Sequence, residues 1–385
     1  MTSDGISILC SLIERTFGYG RRVEAVCAAM TWVAHRTALD HLRSDPARLV
    51  IVTAWMPSYL ENIYEVLLRL KQDGMQVVIF PEWRRSQEPE YNQELGKYVD
   101  FEIFFDQHRA LPRLDADIFL SSTATKHSYF SRGSRRFFYF HSVSGLDGFP
   151  EGGLDDYTHF LCATDQQYSQ LKQRFDSLGL RKTLLAAGYP KFDRIVDRIQ
   201  TSRPQESATH ANWTVLLAPS YASDNVYANV SLLPQLDEVI EVLLNAGYRV
   251  IFRPHPVSLR RGTFVEHIIK VQARYSGSSR FEFDTTQDYF DNYCRAHAMI
   301  TDVSGTAMIF RLAFHKPVVF FTPEPKKAAA AFSSLPQLGP VTSSATRLAS
   351  MLTSVANTPH ELPPPNIYNR GNSAHTIYSM LRDAR

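Results

Sequence analysis

Two polar segments, each placed directly after a short apolar run, hold the residue types best suited to chemistry. Residues 253–256 read Arg-Pro-His-Pro and follow the run Tyr248–Phe252. Residues 301–306 read Thr-Asp-Val-Ser-Gly-Thr and follow the run His297–Ile300. Such runs are typical of parallel strands, and open α/β sheets bind ligands outside the carboxyl ends of their strands. Together the two segments predict a pocket for a phosphorylated ligand.

The Arg-Pro-His-Pro segment confines a histidine between two prolines. The prolines remove neighbouring backbone donors and restrict the torsion angles around His255. Folding gives little reason to confine a histidine in this way. Arg253 offers a forked cation that matches phosphate oxygens, and His255 can donate a hydrogen bond to an oxygen on which charge develops. We expect both side chains in the site.

The hydroxyl-rich segment leads into a predicted helix. Backbone amides at a helix start, joined by the hydroxyls of Ser304 and Thr306, form a cradle for phosphate. Asp302 would repel a phosphate, so we expect it to orient a histidine, cap the helix or hold a ligand hydroxyl. An ordinary N-cap explains the same residues, because Ser and Thr are favoured there.

Three other segments supply further candidates. His141 follows an apolar run and precedes small residues, and imidazole is the group best matched to moving a proton near neutral pH. The alternative for His141 is a bond to the turn that follows it. Glycine and proline fix the turn that carries Lys191, which is either a phosphate contact or part of an ordinary turn. Ser220, at the end of another run, can donate to a nucleotide.

Length and composition exclude several classes of protein. A chain of 385 residues exceeds the size of one hydrophobic core, so two domains are expected. The net charge of +2 gives no bulk attraction for nucleic acid. The local basic cluster Arg132–Arg136 could attract phosphates or an anionic membrane, although a solvated turn is the preferred interpretation. No nucleic-acid partner is expected.

Cysteine usage and apolar runs indicate the compartment. The cysteines are scattered without metal-ligand spacing, which fits a reducing cytoplasm and predicts neither a disulfide framework nor a zinc site. The first thirty residues lack the pattern of a signal peptide, and no apolar run approaches the ~20 residues that span a bilayer. Neither a P-loop, an HExxH motif nor a GxSxG elbow is present. We expect a cytoplasmic protein, soluble or peripheral, with no metal and no cofactor.

Strands and helices alternate along most of the chain. Residues 6–42 have helical spacing interrupted at Gly18–Gly20, and predict two helices that are either core or rest on a membrane. A βα alternation then begins, which indicates parallel strands joined by right-handed crossovers. Its predicted strands in the first half are Arg48–Ala54, Met75–Phe80, Asp115–Leu120, Arg136–His141, His159–Cys162 and Thr183–Ala187. Helices are predicted at Tyr59–Gln72 and Asp165–Phe175.

A polar stretch from Asp197 to Asn212 separates this series from a second one. The second series predicts strands at 213–218, 248–252, 281–283, 297–300 and 317–321, with helices between them. We therefore expect a Rossmann-like domain over residues 1–200, a nucleotide-donor domain over 212–370 and a last helix over 371–385. Two Rossmann-like halves facing an interdomain cleft describe the GT-B architecture. One large doubly wound sheet is the alternative.

The order of these segments resembles a known family. The apolar strand ending at His141 comes first, and Gly188-Tyr189-Pro190-Lys191, Leu217-Ala218-Pro219-Ser220, Arg253-Pro254-His255-Pro256 and Thr301-Asp302-Val303-Ser304-Gly305 follow. The series resembles the CDP-glycerol glycerophosphotransferase family, the polymerases and primases of teichoic-acid and related capsule synthesis. The resemblance covers roughly residues 115 to 325.

The resemblance implies a GT-B fold and a membrane-associated enzyme at the cytoplasmic face of the inner membrane. Such an enzyme transfers a polyol phosphate from a CDP-activated donor to a hydroxyl of a growing polysaccharide or lipid-linked primer, and releases CMP. Family roles carry over to the general base His141, the donor-phosphate contact His255, the phosphate cradle Ser304, Gly305 and Thr306, and the supporting Arg253 and Asp302.

The chain departs from the family pattern at two places. The family commonly has Trp-His-Gly where this chain has Phe140–Ser142, and two serines where it has Ser304-Gly305. The donor can therefore differ from CDP-glycerol. A GT-B glycosyltransferase using a CMP- or UDP-activated sugar in capsule or lipopolysaccharide synthesis is the alternative enzyme. A nucleotide-sugar epimerase would need no acceptor, and the paired histidines argue against a non-enzymatic binding module.

Overall fold

The computed structural model describes most of the chain beyond residue 47. The described residues are 48–54, 56–81, 89–103, 114–123, 135–146, 149, 152–202, 213–222, 229–259, 263–286, 288–332, 335–357 and 366–383. The two helices predicted within residues 6–42, the start of the basic cluster at Arg132 and most of the predicted polar linker lie outside these ranges.

The first sheet has seven strands in the order β3-β2-β1-β4-β5-β6-β7. Its strands are β1 Leu49–Ala54, β2 Gln76–Pro81, β3 Glu102–Ile103, β4 Ile118–Ser121, β5 Arg135–Tyr139, β6 His159–Cys162 and β7 Thr183–Ala186. The pairings from β3 through β6 are all parallel. Every residue of β1 is buried, which explains why it reads as an unbroken apolar run and not as an alternation.

The second sheet has six parallel strands in the order β10-β9-β8-β11-β12-β13. They are β8 Thr214–Leu217, β9 Arg249–Phe252, β10 Phe281–Phe283, β11 Ala298–Thr301, β12 Val318–Phe321 and β13 Val341–Thr342. In each sheet the first strand along the chain lies third from one edge and the order reverses beside it, as in doubly wound nucleotide-binding folds. The predicted α/β fold with two Rossmann-like sheets is confirmed, and the alternative of one large sheet is wrong.

The helices connect these strands. They are α1 Tyr64–Gln72, α2 Pro89–Leu95, α3 Asp165–Ser177, α4 Pro190–Thr201, α5 Leu236–Asn245, α6 Val265–Tyr275, α7 Phe290–Arg295, α8 Thr306–Ala313, α9 Pro325–Ala331, α10 Leu335–Leu338, α11 Leu348–Asn357 and α12 Ser373–Arg382. Helix α5 buries residues 236, 239, 240, 243 and 244, a stripe with the 3.6-residue period of an amphipathic helix. No helix among the described residues is long and apolar enough to cross a membrane.

The predicted helix Tyr59–Gln72 is interrupted in the structure. Pro57–Asn62 forms a 3-10 helix, and Ile63 leaves the helical region with φ −129° before α1 begins. The predicted strand Arg136–His141 ends at Tyr139, so His141 follows the strand and does not belong to it. The polar stretch that begins at Asp197 still forms the last turn of α4.

The second sheet is covered on both faces. Alternate residues along each strand point to opposite faces, and two separate clusters of buried side chains result. In β8, Leu216 joins one cluster, whereas Val215 and Leu217 join the other. In β11, Met299 and Ile300 divide in the same way. This packing on both faces holds the strand ends in fixed positions.

Two compact units make up the chain. One comprises residues 1–141, 150–161 and 374–385, and the other comprises residues 142–149 and 162–373. The second unit therefore contains the whole six-stranded sheet and the residues that follow His141. The domain boundaries expected from the sequence, at 200, 212 and 370, stay a prediction.

We predict that Gly188→Ala strongly destabilises the fold. Gly188 has φ +95°, and a Cβ there would stand 2.6 Å from the Tyr368 carbonyl oxygen and closer still to the Ser373 hydroxyl. Strained torsion costs about 1–2 kcal/mol and overpacking about 1–3 kcal/mol, so the free energy of unfolding should fall by about 2–5 kcal/mol. Denaturant unfolding measures this loss.

Two matched glycines separate these contributions. Gly179 has φ +65° with open space around it, so Gly179→Ala should show the torsional cost alone. Gly277 has open space and no positive φ, so Gly277→Ala should change stability by less than about 1 kcal/mol. Equal losses at Gly188 and Gly179 would contradict the steric explanation.

Candidate functional site

The candidate site lies where four parallel strands of the second sheet end side by side. The Asp284 amide donates to the Phe252 carbonyl at 2.9 Å, which joins the ends of β10 and β9. The Arg253 amide donates to the Leu217 carbonyl at 2.9 Å, and the Ala218 amide donates to the Ile300 carbonyl at 3.0 Å. The strand order reverses between β8 and β11, which is where open sheets bind ligands.

Asp302 fixes the loops at this reversal point. It is fully buried, and its carboxylate accepts hydrogen bonds from the Ser220 amide at 2.8 Å, the Leu232 amide at 3.1 Å and the Ser231 hydroxyl at 3.2 Å. Burial raises the pKa of Asp302, while these donors and the Ser220 hydroxyl act in the opposite direction. Among the described residues its partners are loop groups and not a histidine. The Asp302 carboxylate and the Ser220 backbone amide therefore fix each other's position at this edge of the sheet.

Arg253 is held by residues that follow β10. Its guanidinium pairs with the Asp284 carboxylate and donates to the Thr286 carbonyl at 2.8 Å. Asp284 also accepts from the Thr286 amide at 2.8 Å and the Thr286 hydroxyl at 2.7 Å. Burial alone would raise the pKa of Asp284, but the hydrogen bonds from Thr286 and Arg253 outweigh it and hold this pKa below its usual value. Arg253 brings positive charge to the site in a fixed orientation.

His255 has one ring nitrogen engaged by the backbone of its own turn. Its side chain is exposed, and its Nδ1 accepts a hydrogen bond from the Val257 amide at 3.2 Å. Because Nδ1 is the acceptor, the neutral ring carries its hydrogen on Nε2. The Tyr221 ring lies against the imidazole, with 6.0 Å between centroids. The two prolines and these contacts hold the imidazole of His255 in a defined orientation.

The start of α8 lies beside a buried tyrosine and two cations. Thr306 forms a hydrogen bond with the hydroxyl of Tyr293. Burial raises the pKa of Tyr293, and the positive charges of Arg253 and Lys191 oppose that rise. The Lys191 ammonium lies 5.7 Å from the centroid of the Tyr289 ring. Thr306 contacts this phenol, and the charges of Arg253 and Lys191 act on it, although the sequence separates these residues widely.

Ser304 and Gly305 complete the turn before α8. The Ser304 amide donates to the Asp302 carbonyl at 2.8 Å, so the turn is anchored to the same aspartate. Gly305 stands at the N-cap position with φ −62° and ψ −19°. The hydroxyl of Ser142 lies 2.7 Å from where a Cβ on Gly305 would stand. The segment after His141 thus reaches the hydroxyl-rich turn.

His141 itself belongs to the other compact unit and is described there. Its ring stacks on the ring of Tyr59, with centroids 4.0 Å apart and an interplanar angle of 12°. Tyr59 lies in the 3-10 helix Pro57–Asn62, which follows β1. The stack fixes the plane of the half-buried imidazole, which is a requirement for directed proton transfer.

Sequence reasoning missed several residues that hold the site. Asp284 could have been found, because an acidic residue directly after the strand Phe281–Phe283 fits the strand-end pattern used for the other segments. Tyr293 lies within a helix, where its contact with Thr306 leaves no mark on the local pattern. Tyr59 likewise gave no signal. The roles of these residues depend on contacts with residues that are distant in the sequence.

A family model and several solved structures match this chain. The model described as CDP-Glycerol:Poly(glycerophosphate) glycerophosphotransferase matches residues 154–359, which is more than half of the chain. None of the curated proteins matches the sequence.

Solved structures of similar fold include two epimerases and a polymerase. The UDP-GlcNAc 2-epimerase of Methanocaldococcus jannaschii, in complex with UDP-GlcNAc and UDP, has a TM-score of 0.56 and 11% identity, with 87% of this chain and 99% of that chain covered. The UDP-GlcNAc 2-epimerase of Neisseria meningitidis has a TM-score of 0.54 and 12% identity, with 87% of this chain and 100% of that chain covered. A histidine-to-asparagine variant of the wall teichoic acid polymerase TagF, soaked with CDPG, has a TM-score of 0.53 and 14% identity, with 91% and 92% covered. The likeness is one of fold.

We predict that Asp284→Asn removes part of the acid sensitivity of this unit. The depressed pKa of Asp284 means that its contribution to stability is present above the unfolded-state pKa of about 3.9 and is lost as pH falls through the lower folded-state value. The variant should lose about 1.5–3 kcal/mol at neutral pH, because Arg253 loses a charged acceptor, and should lose less on acidification. Denaturant unfolding between pH 2 and pH 7 measures both effects.

An exposed carboxylate on α7 provides the control. Asp291→Asn should preserve both the stability at neutral pH and the shape of the acid limb. If Asp284→Asn kept the full wild-type acid limb, the ion pair with Arg253 would not be a determinant of the site.

Proposed function

We propose that this chain, which belongs to the CDP-glycerol:poly(glycerophosphate) glycerophosphotransferase family, moves a polyol phosphate such as glycerol phosphate from a CDP-activated donor to a hydroxyl group and releases CMP. One observation carries the proposal: the family match over residues 154–359 includes both polar segments that end strands of the second sheet. In this proposal the acceptor is a hydroxyl of a cell-surface polysaccharide or a lipid-linked primer. A lipid-linked acceptor would bring the enzyme to the cytoplasmic face of the inner membrane as a peripheral protein.

The second unit would hold the donor diphosphate. Backbone amides at the start of α8, the Nε2–H of His255 and the nearby charges of Arg253 and Lys191 all favour negative oxygens. In the reaction the acceptor oxygen bonds to the phosphorus that carries the polyol, and the bond from that phosphorus to the CMP oxygen breaks. The departing CMP keeps the electron pair and gains negative charge. Positioned donors offset this charge without reorganising at the moment of reaction.

His141 would take the proton of the acceptor hydroxyl. A neutral imidazole is a suitable base near pH 7, and the stack on Tyr59 supports the role because it fixes the direction of the ring nitrogens. The proton passes from the acceptor oxygen to the imidazole as the new bond to phosphorus forms. We thus propose that His141 is the general base of the reaction and that His255 contacts the donor phosphate.

A panel of donors tests the proposed reaction. The protein is incubated with CDP-glycerol, a second CDP-polyol, a UDP-activated sugar and a CMP-activated sugar, each with and without a polyol-phosphate primer, and released nucleotides are measured. We expect CMP release from a CDP-polyol that depends on the primer. Nucleotide release from sugar donors alone would indicate a glycosyltransferase, conversion of a donor without primer would indicate an epimerase, and binding without product would indicate a binding module.

Single variants separate the two histidines. His141→Ala should lower kcat by about 10²–10⁴-fold while the affinity for CDP is retained, because a general base acts on the acceptor and not on the donor. At His255, glutamine can keep a donor near the place of Nε2, whereas asparagine keeps only the acceptor for the Val257 amide. His255→Gln should therefore retain more activity and CDP affinity than His255→Asn. An active His141→Ala enzyme would remove the base assignment.

A further inference from the structure

The contact with a neighbouring side chain, and not an unusual backbone conformation, requires a glycine at position 305. Its φ of −62° and ψ of −19° are ordinary helical values that any residue adopts. A Cβ at this position would stand 2.7 Å from the Ser142 hydroxyl, whereas the next nearest atoms, Cβ of Ser142 and Oγ of Ser144, lie at 3.7 and 3.8 Å. The Ser142 hydroxyl alone therefore fills the space that a side chain at position 305 would occupy.

We propose that Ser142 is a substrate-contacting residue that supplies, from a different segment of the chain, the hydroxyl at the start of α8. The inference rests on the proposed function, since it assigns a further donor to the same phosphate site. The start of α8 already combines backbone amides with two neighbouring cations, and an anionic oxygen bound there would lie beside the position that the Ser142 hydroxyl fills.

The hydroxyl pair formed by Ser142 and Ser144 has one hydrogen left to donate. Their Oγ atoms are 2.7 Å apart, so one hydroxyl donates to the other. The Ser142 Oγ also accepts from the Ser144 amide at 3.1 Å. Two hydroxyls carry two hydrogens, and their mutual bond uses only one of them. When the Ser144 hydroxyl donates to the Ser142 Oγ, the hydrogen of Ser142 is the one left for a substrate oxygen, and the bond it accepts polarises it for that purpose.

Gln167 holds this pair in place. It is fully buried in α3, and its side-chain amide donates to the carbonyls of Ser142 at 2.8 Å and Ser144 at 2.6 Å. Its Oε1 accepts from the Ala163 amide at 2.8 Å. Three backbone groups are thus fixed by one buried side chain, and the turn that presents the hydroxyls cannot move away from α3 without breaking these bonds. Gln167 is a positioning residue for Ser142.

The packing role of the Ser142 side chain and its chemical role can be separated by exchanging the two positions. Ser142→Gly removes the hydroxyl and frees the space over Gly305. Adding Gly305→Ser returns a hydroxyl from the helix side, while adding Gly305→Ala returns only a carbon atom of similar bulk. The two double variants are therefore matched in packing and differ by one oxygen.

The experiment measures kcat and KM for CMP release from the CDP-activated donor, the affinity for CDP and the thermal midpoint of each variant. S142G should lose about 10–100-fold in kcat/KM, the effect of removing one hydrogen-bond donor to a charged oxygen. The kcat/KM of S142G/G305S should recover to within about threefold of the wild-type value. The kcat/KM of S142G/G305A should remain as low as that of S142G, although the two double variants should have the same thermal midpoint. Ser177→Gly, at an exposed serine in α3, is the matched control and should keep the wild-type rate.

Two results would overturn the inference: full activity of S142G, or equal recovery by S142G/G305S and S142G/G305A. Either would mean that Ser142 only fills space. Failure of the proposed function looks different, because the wild type itself would then release no CMP from any CDP-activated donor. In that case the ranking of the same variants by CDP affinity decides the inference, since binding of the diphosphate needs no turnover.

Discussion

The buried carboxylate of Asp302 is the interaction on which the rest of the site depends. Removing a carboxylate from water is costly unless donors replace the lost hydration, and here the donors come from the loops that the site is made of. The same residue lies one position beyond β11, and its carbonyl receives the Ser304 amide. One side chain and one carbonyl thus connect the end of β8, residues 231–232 and the turn before α8. Any displacement of these loops would leave a buried charge uncompensated.

The polar groups around this centre are held in fixed orientations. Arg253 is engaged with Asp284 and Thr286, so it adds potential and rigidity to the site. His255 has its Nδ1 engaged by the Val257 amide, and the start of α8 offers backbone amides. Fixed dipoles of this kind suit a site where charge changes during reaction, because they respond without reorganising.

Much of this arrangement could be predicted from the sequence because parallel strands carry strong signals. Apolar runs followed by polar segments located β9 and β11, and the carboxyl-end rule then placed Arg253, His255 and the Thr301–Thr306 turn along one edge of a sheet. What the strand-end pattern does not contain is the partner of each side chain. The sequence predicts that Asp302 orients a histidine, caps the helix or holds a ligand hydroxyl, and the structure shows its carboxylate bonded to loop groups. It predicts that Arg253 matches phosphate oxygens, and the structure shows its guanidinium paired with Asp284. Those outcomes depend on distances across the sheet, which no local spacing encodes.

The two departures from the family pattern are a second example of a contact that local sequence spacing does not encode. In the sequence, Ser142 and Gly305 are separate oddities: a serine where the family commonly has glycine, and a glycine where it commonly has serine. In the structure they touch, and the side chain present at one position fills the space of the side chain absent at the other. A serine at both positions would collide, because interiors have no room for an extra hydroxymethyl group. A glycine at both would leave a gap and no hydroxyl. The pair is therefore one physical feature, in which the hydroxyl of Ser142 occupies the space beside Gly305 at the start of α8.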